Sequence, residues 1–205
     1  MTVEHILAIL LFSTIASATP GPNNLMLLFS GINYGFYRTV PHMVGIGIGF
    51  TILLIVVGIG IVQVFETYPF VYLSLKILSV CYLLFLSWKI ATTVPKNIKK
   101  DKHGKGRHKP LSFFQATCFQ WVNPKAWTMG LTAMTAYMPP IEPIIGLFLI
   151  VLIFILVCVP SLIVWTLLGV QLGRFLEDPI RLRRFNIITG CLLAGSLYPV
   201  VFSSG

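Results

Sequence analysis

Two short runs of this chain carry residues that could do chemistry: Thr19-Pro20-Gly21-Pro22-Asn23-Asn24 and Asn123-Pro124-Lys125. Both lie inside hydrophobic sequence. A proline within a helix removes one i→i−4 hydrogen bond and clashes with the carbonyl four residues back. Pro20 and Pro22 therefore free the carbonyls of Ala16 and Ala18, and a half-helix restarting after them begins with unpaired amides. That positive helix end, with the Asn23 and Asn24 side chains, suits a carboxylate. The freed carbonyls suit an ammonium, so a zwitterion fits better than a bare ion. Lys125 adds a fixed cation at depth, costly unless it faces a cavity or a partner. No Asp or Glu falls in an apolar segment to neutralise it. Its partner must be a carbonyl, a water, a bound anion or a substrate carboxylate, and we expect the last. The plainer alternative is that Pro20 and Pro22 only kink a packed helix, with the asparagines bonding a neighbour.

The elements that must position these groups are membrane spans. Apolar sequence runs from His5 to Ala18 and resumes from Leu25 to Ile32. Neither piece alone comfortably crosses ~30 Å of hydrocarbon, which takes ~20 apolar residues. Joined, they form one span broken near its middle, as happens where backbone lines a wet cavity or a transport site. The 205 residues are 56% hydrophobic and only 10% charged, the composition of a polytopic membrane protein rather than a soluble domain. Hydropathy predicts an all-α chain with six spans at about 5–33 (broken), 40–64, 70–91, 112–137, 143–170 and 185–203. Ala16-Ser17-Ala18 resembles a signal-cleavage site, but Glu4 and His5 stand where a positive n-region belongs, so the first segment is expected to stay.

Thirteen of the fifteen Lys and Arg residues border the first, third and fifth connections, from Arg38 through the run Lys96–Lys109 to Arg184. The second and fourth connections and the amino terminus carry only Glu66, Glu142 and Glu4. The positive-inside rule then places the odd-numbered connections in the cytoplasm and both termini outside. The net charge of +9 has this origin, and the basic run meets anionic headgroups. Nucleic-acid binding is not expected, because no aromatic residue interleaves with those cations. One integral domain, 1–205, divides at the basic loop 93–111 into three-span halves, 1–92 and 112–205. Halves with an odd number of spans lie in opposite orientations, an inverted repeat with span 1 and span 4 each broken. The two breaks would then face one another.

Other polar groups promise less. Cys81, Cys118, Cys158 and Cys191 lack metal or redox spacing and read as small apolar fillers. Gly31, Gly35, Gly45 and Gly49 let helices approach closely. A homodimer through the Gly-rich second span is conceivable. Pro160 reads as a kink. His5 and His42 sit near span ends and make unconvincing proton carriers. Without an HExxH motif or a His/acid cluster, neither an enzyme nor a resident cofactor is expected.

Thr19-Pro20-Gly21-Pro22, the glycines at 31, 35, 45 and 49, Leu75-Lys76 with Tyr82-Leu83, and Val122-Asn123-Pro124-Lys125-Ala126-Trp127 together resemble the LysE/RhtB family of amino-acid exporters. Trp88-Lys89-Ile90-Ala91-Thr92 and Phe119-Gln120-Trp121-Val122-Asn123 look most like its cysteine/O-acetylserine exporter subgroup. The resemblance covers nearly the whole chain. It implies a multi-pass exporter of small neutral amino acids in the bacterial inner membrane, driven by the proton gradient. Ser79 and Ala116 replace glycines common in the family, and Asn23 replaces an acidic residue that often follows Pro-Gly-Pro.

That last difference bears on coupling. No intramembrane acid is left to relay protons. A proton leaving with the substrate from Lys125 would move outward, against the gradient that must drive export. We therefore expect Lys125 to be a permanent charge, with facilitated efflux or antiport; a lysine that protonates only in the empty site is the alternative. The rival to an amino-acid exporter is a channel or transporter for inorganic ions, but cation sites favour acidic ligands, which a buried lysine opposes.

Overall fold

The computed structural model describes residues 2–60, 67–93, 109–139, 141–176 and 178–198. The described residues form helices and short connections. They are α1 (Val3–Ala18), α2 (Pro22–Tyr34), α3 (Phe36–Gly58), α4 (Pro69–Ala91), α5 (Phe113–Phe119), a single 3₁₀ turn (Gln120–Val122), α6 (Pro124–Tyr137), α7 (Pro143–Phe175) and α8 (Pro179–Gly195). The basic run at 94–108 and the expected end of the last span beyond residue 198 lie outside the described residues.

Local chemistry sets the boundaries. Proline opens α2, α4, α6, α7 and α8, where its missing N–H costs nothing because the first helical amides have no internal acceptor. Ser112 and Gln115 form a reciprocal capping box on α5. Asp178 caps α8 by accepting from the Ile180 amide at 2.9 Å. The last helix consequently begins at Pro179 rather than near 185. Hydropathy misses its first turns because Arg181, Arg183 and Arg184 lie there. For the same reason α7 outruns the expected 143–170: the apolar run stops, but its backbone stays helical to Phe175. Pro160 sits inside this continuous helix. The second span starts earlier than expected, at Phe36 after Gly35, whose φ of +80° suits glycine and turns the chain between α2 and α3, and its expected end at 61–64 lies outside the described residues.

Gly35 thus serves a turn rather than close packing; a Cβ there would touch nothing. Five other glycines bring backbones together. A Cβ on Gly31 would meet the backbone of α7, and one on Gly169 the backbone of Leu28. Gly45 and Gly49 lie against α5, where a Cβ on Gly49 would fall 2.7 Å from the Thr117 carbonyl oxygen. That face of α3 is therefore spent within the chain and is not free to make the homodimer contact considered from sequence. Gly190 of α8 similarly lets it approach Ser87 and Ala91 of α4.

Apolar side chains face both ways. Phe50, Leu53, Leu54, Ile150 and Phe154 pack between α3 and α7, and Leu83, Leu86, Phe119 and Leu193 pack between α4, α5 and α8. Outward stand Leu7, Leu11 and Ile15 of α1, Leu73, Ile77 and Leu84 of α4, and Phe148, Leu156 and Leu168 of α7, each at least half or nearly half exposed. Such continuous apolar surface is costly in water and natural against lipid tails. Among the described residues, Phe36–Gly58, Leu73–Ala91 and Pro143–Phe175 are long and apolar enough to cross a bilayer. Val3–Ala18 with Pro22–Tyr34 passes the same test as a pair bent by 51°.

Candidate functional site

The bend lies at Thr19–Gly21, where helical bonding stops. The Thr19 amide still donates to the Ile15 carbonyl (2.9 Å), and bonding resumes with the Leu25 amide on the Gly21 carbonyl (2.9 Å). Between them, side chains take over. Asn24, buried in the first turn of α2, donates through Nδ2 to the carbonyls of Ser17 (2.8 Å) and Thr19 (2.9 Å). Ser161 of α7 also donates to the Ser17 carbonyl at 2.9 Å. The carbonyls that gain these side-chain partners are those of Ser17 and Thr19.

The second break is closed differently. Asn123 is the N-cap of α6: its Oδ1 accepts from the Lys125 amide (3.2 Å) and its carbonyl from the Ala126 amide (3.0 Å). The start of α6 is thereby satisfied locally, while the Asn23 and Asn24 amides at the start of α2 have no acceptor inside their helix.

The two breaks meet. Lys125 Nζ donates to the Thr19 carbonyl at 2.5 Å, placing an ammonium at the negative end of the α1 dipole. Of the partners open to Lys125, a backbone carbonyl holds it here. Gly21 makes the approach possible, since a Cβ there would lie 2.5 Å from Lys125 Cδ. Asn23 and Gln120 form a reciprocal amide pair, with Asn23 Nδ2 on Gln120 Oε1 (2.8 Å) and Gln120 Nε2 on Asn23 Oδ1 (3.1 Å). The asparagines thus do bond neighbours, as the plainer alternative held: Asn23 joins the two breaks through Gln120, while Asn24 ties the first break to the helix that follows it.

A cavity of about 50 Å³ (the volume open to the centres of water molecules) lies at this junction, lined in part by Gly21, Asn23, Asn24, Asn123 and Lys125. Of the nine residues expected at a site, these five reach the cavity. Thr19 contributes through its carbonyl. Pro20, Pro22 and Pro124 do not line it and act by ending or starting helices. Ile46, Phe50, Met129 and Leu162 give the cavity an apolar side, and Cys158 and Ser161 face it from α7.

The sequence profile described as LysE type translocator matches residues 14–196, which include both breaks and every cavity-lining residue. The chain belongs to the LysE type translocator family. It is 30% identical over 146 residues to a cysteine/O-acetylserine efflux protein of Klebsiella pneumoniae, covering 70% of this chain and 71% of that one. It is 31% identical over 141 residues to proteins of the same name from Escherichia coli O157:H7 and Escherichia coli K12, covering 68% of this chain and 69% of each. No solved structure matches.

Sequence reasoning missed four residues of this translocator's candidate site. Gln120 is fully buried beside Asn23. Ser17 Oγ lies 3.2 Å from Cys158 Sγ, so Cys158 is no apolar filler. Ser161 completes the group. Cys81, Cys118 and Cys191 are exposed, which also departs from the filler reading. The available signal was polar residues within one or two turns of a proline: Ser17 before Pro20, Gln120 before Pro124, and Cys158 and Ser161 around Pro160.

Proposed function

We propose that this translocator exports small neutral amino acids, cysteine and O-acetylserine or close relatives such as threonine and homoserine, across the bacterial inner membrane. The observation that carries the reading is the Lys125–Thr19 contact, a cation from one break resting on a carbonyl of the other at the edge of a cavity. A zwitterion inserts into that contact. Its carboxylate takes Lys125 Nζ in a charge-assisted bond, roughly twice as strong as the neutral kind. Its ammonium takes the Thr19 carbonyl at the negative end of α1. At roughly 10–15 Å³ per water position, the cavity has room for about four waters, which favours a short side chain set against Phe50 and Met129.

The names of the efflux relatives support the substrate class. Six spans in two inverted three-span halves, 1–92 and 112–205, agree with the two breaks and with the partition of Lys and Arg. This arrangement puts both termini outside and the basic connections in the cytoplasm. Substrate insertion loosens the bond between the breaks, so loading and rocking of one half against the other are linked. Lys125 keeps its proton throughout, and transport runs as facilitated efflux or exchange.

The test is an amino-acid profile of the medium around bacteria expressing the protein or its Lys125→Met variant at equal membrane levels. The wild type should enrich the medium in cysteine, O-acetylserine or a similar amino acid, and the variant should not. An unchanged profile with wild-type protein present would remove the export reading.

A further inference from the structure

His42 is the group that the export site leaves unexplained. It lies in the second turn of α3 and is 1% exposed, yet neither Nδ1 nor Nε2 has a hydrogen-bond partner among the described residues. Its polar neighbours are satisfied. The Ser30 and Thr39 hydroxyls bond each other (2.8 Å), and the Thr39 hydroxyl reaches the Gly35 carbonyl (2.8 Å). A buried donor or acceptor left alone forfeits its bonds to water without replacing them, and the imidazole carries one of each.

The imidazole lines a second cavity, about 40 Å³ open to the centres of water molecules. Tyr34 enters it from α2, Lys89 from α4 and Lys109 from the segment before α5, while Phe29 and Leu86 supply apolar wall. Among the described residues no Asp or Glu lines it. Two ammonium groups, a phenol and an imidazole offer donors in excess, which is the chemistry of an anion site. The volume corresponds to roughly three water positions, enough for a carboxylate and its α-carbon.

The position of this cavity says which carboxylate. α2 and α3 line both cavities: Asn23 and Asn24 face the first, Phe29 and Tyr34 the second; Ile46 faces the first, His42 the second. His42 and Ile46 are one helical turn apart, about 6 Å along the axis. The intervening turns carry Leu27 and Met43, buried in one cluster with Ile46. We propose that the His42 cavity is a second binding site for the carboxylate end of the exported amino acid, a receiving site one apolar layer from the central cavity, with Lys89, Lys109 and the imidazole N–H as its donors. The inference rests on the export reading above for the identity of the ligand.

Full-length protein labelled with ¹⁵N-histidine tests it, with the ring signals of His42 assigned through His42→Gln. L-Cysteine, kept reduced, should shift those signals saturably in the wild type. The shift should persist with a half-saturation within about twofold in Lys125→Met and in Met129→Trp, which block the central cavity in two different ways. Cysteamine, which lacks the carboxylate, should leave the signals in place at equal concentration, and Lys89→Gln with Lys109→Gln should weaken the response at least fivefold. The proposal is overturned if L-cysteine leaves His42 unmoved while the wild type still exports. It is overturned equally if both central variants abolish the shift, or if inorganic phosphate produces it as strongly as L-cysteine. An unchanged amino-acid profile of the medium would instead strike the export reading, so the two failures are read separately.

Discussion

The break after α1 and the break before α6 have similar sequence grammar and opposite chemistry. At the second, Asn123 caps its own helix, the chain needs no outside help, and the side chain it projects is a cation. At the first, the carbonyls of Ser17 and Thr19 are held by side chains from α2, α6 and α7, and the helix that follows has no side-chain cap. One break is finished and supplies charge; the other is unfinished and supplies backbone. A polar ligand can compete for the bond made by the long Lys125 side chain more readily than for those of a helix cap. The open break is therefore where binding can alter the structure.

Substitutions should separate the two roles. The largest effect is expected for Lys125→Met, which deletes the carboxylate partner: hydrogen bonds to charged groups contribute about 1.5–3 kcal/mol, or roughly a 10- to 150-fold rise in half-saturating substrate. Transport kinetics in proteoliposomes measure it. Asn24→Ala comes next. It removes both clamps on the first break, and with them about 1–3 kcal/mol of stability, read as a lowered Tm together with lost export. Breaking the amide pair with Asn23→Ala or Gln120→Ala should cost about 1–2 kcal/mol, and the double variant should be no worse than the poorer single one. Full additivity in that cycle would mean the pair does not join the breaks. Asn123→Ala should lower Tm by the equivalent of about 1 kcal/mol and weaken substrate affinity less than Lys125→Met does, because Asn123 lines the cavity but carries no charge. The smallest effect belongs to Gly21→Ala. Its methyl meets the flexible end of Lys125, which can shift, so export should fall less than about threefold. Gly49→Ala, against the Thr117 backbone, should do more harm.

Much of this was legible in the residues because proline acts locally. Pro20, Pro22 and Pro124 each remove a helical bond whatever surrounds them, although Pro41 and Pro160 sit inside helices that continue. Gly31, Gly45 and Gly49 announced close contact for the same local reason, since only the absence of a Cβ mattered. What was not legible depended on distant partners. Asn23 and Gln120 are 97 residues apart, and nothing in either neighbourhood names the other. Cys158 and Ser161 sit on a continuous helix whose cavity-facing side is set by packing through Gly31 and Gly169, not by hydropathy. That Lys125 needs a partner follows from its depth alone, whereas the identity of that partner, the Thr19 carbonyl 106 residues away, is a tertiary fact. His42 looked peripheral because sequence places it near a span end, whereas α3 begins only six residues earlier and buries it.

The central claim is that a substrate occupies the cavity between the breaks and is held by Lys125. Cys158 reports on that space directly. In a Cys81→Ser, Cys118→Ser, Cys191→Ser background it is the remaining thiol, and its alkylation by N-ethylmaleimide can be followed in membranes. O-Acetyl-L-serine, which carries no thiol, should slow that alkylation several-fold in protein with Lys125 and have no effect in the Lys125→Met variant. Equal alkylation with and without O-acetyl-L-serine in the Lys125 protein, at concentrations that saturate its export, would contradict the account.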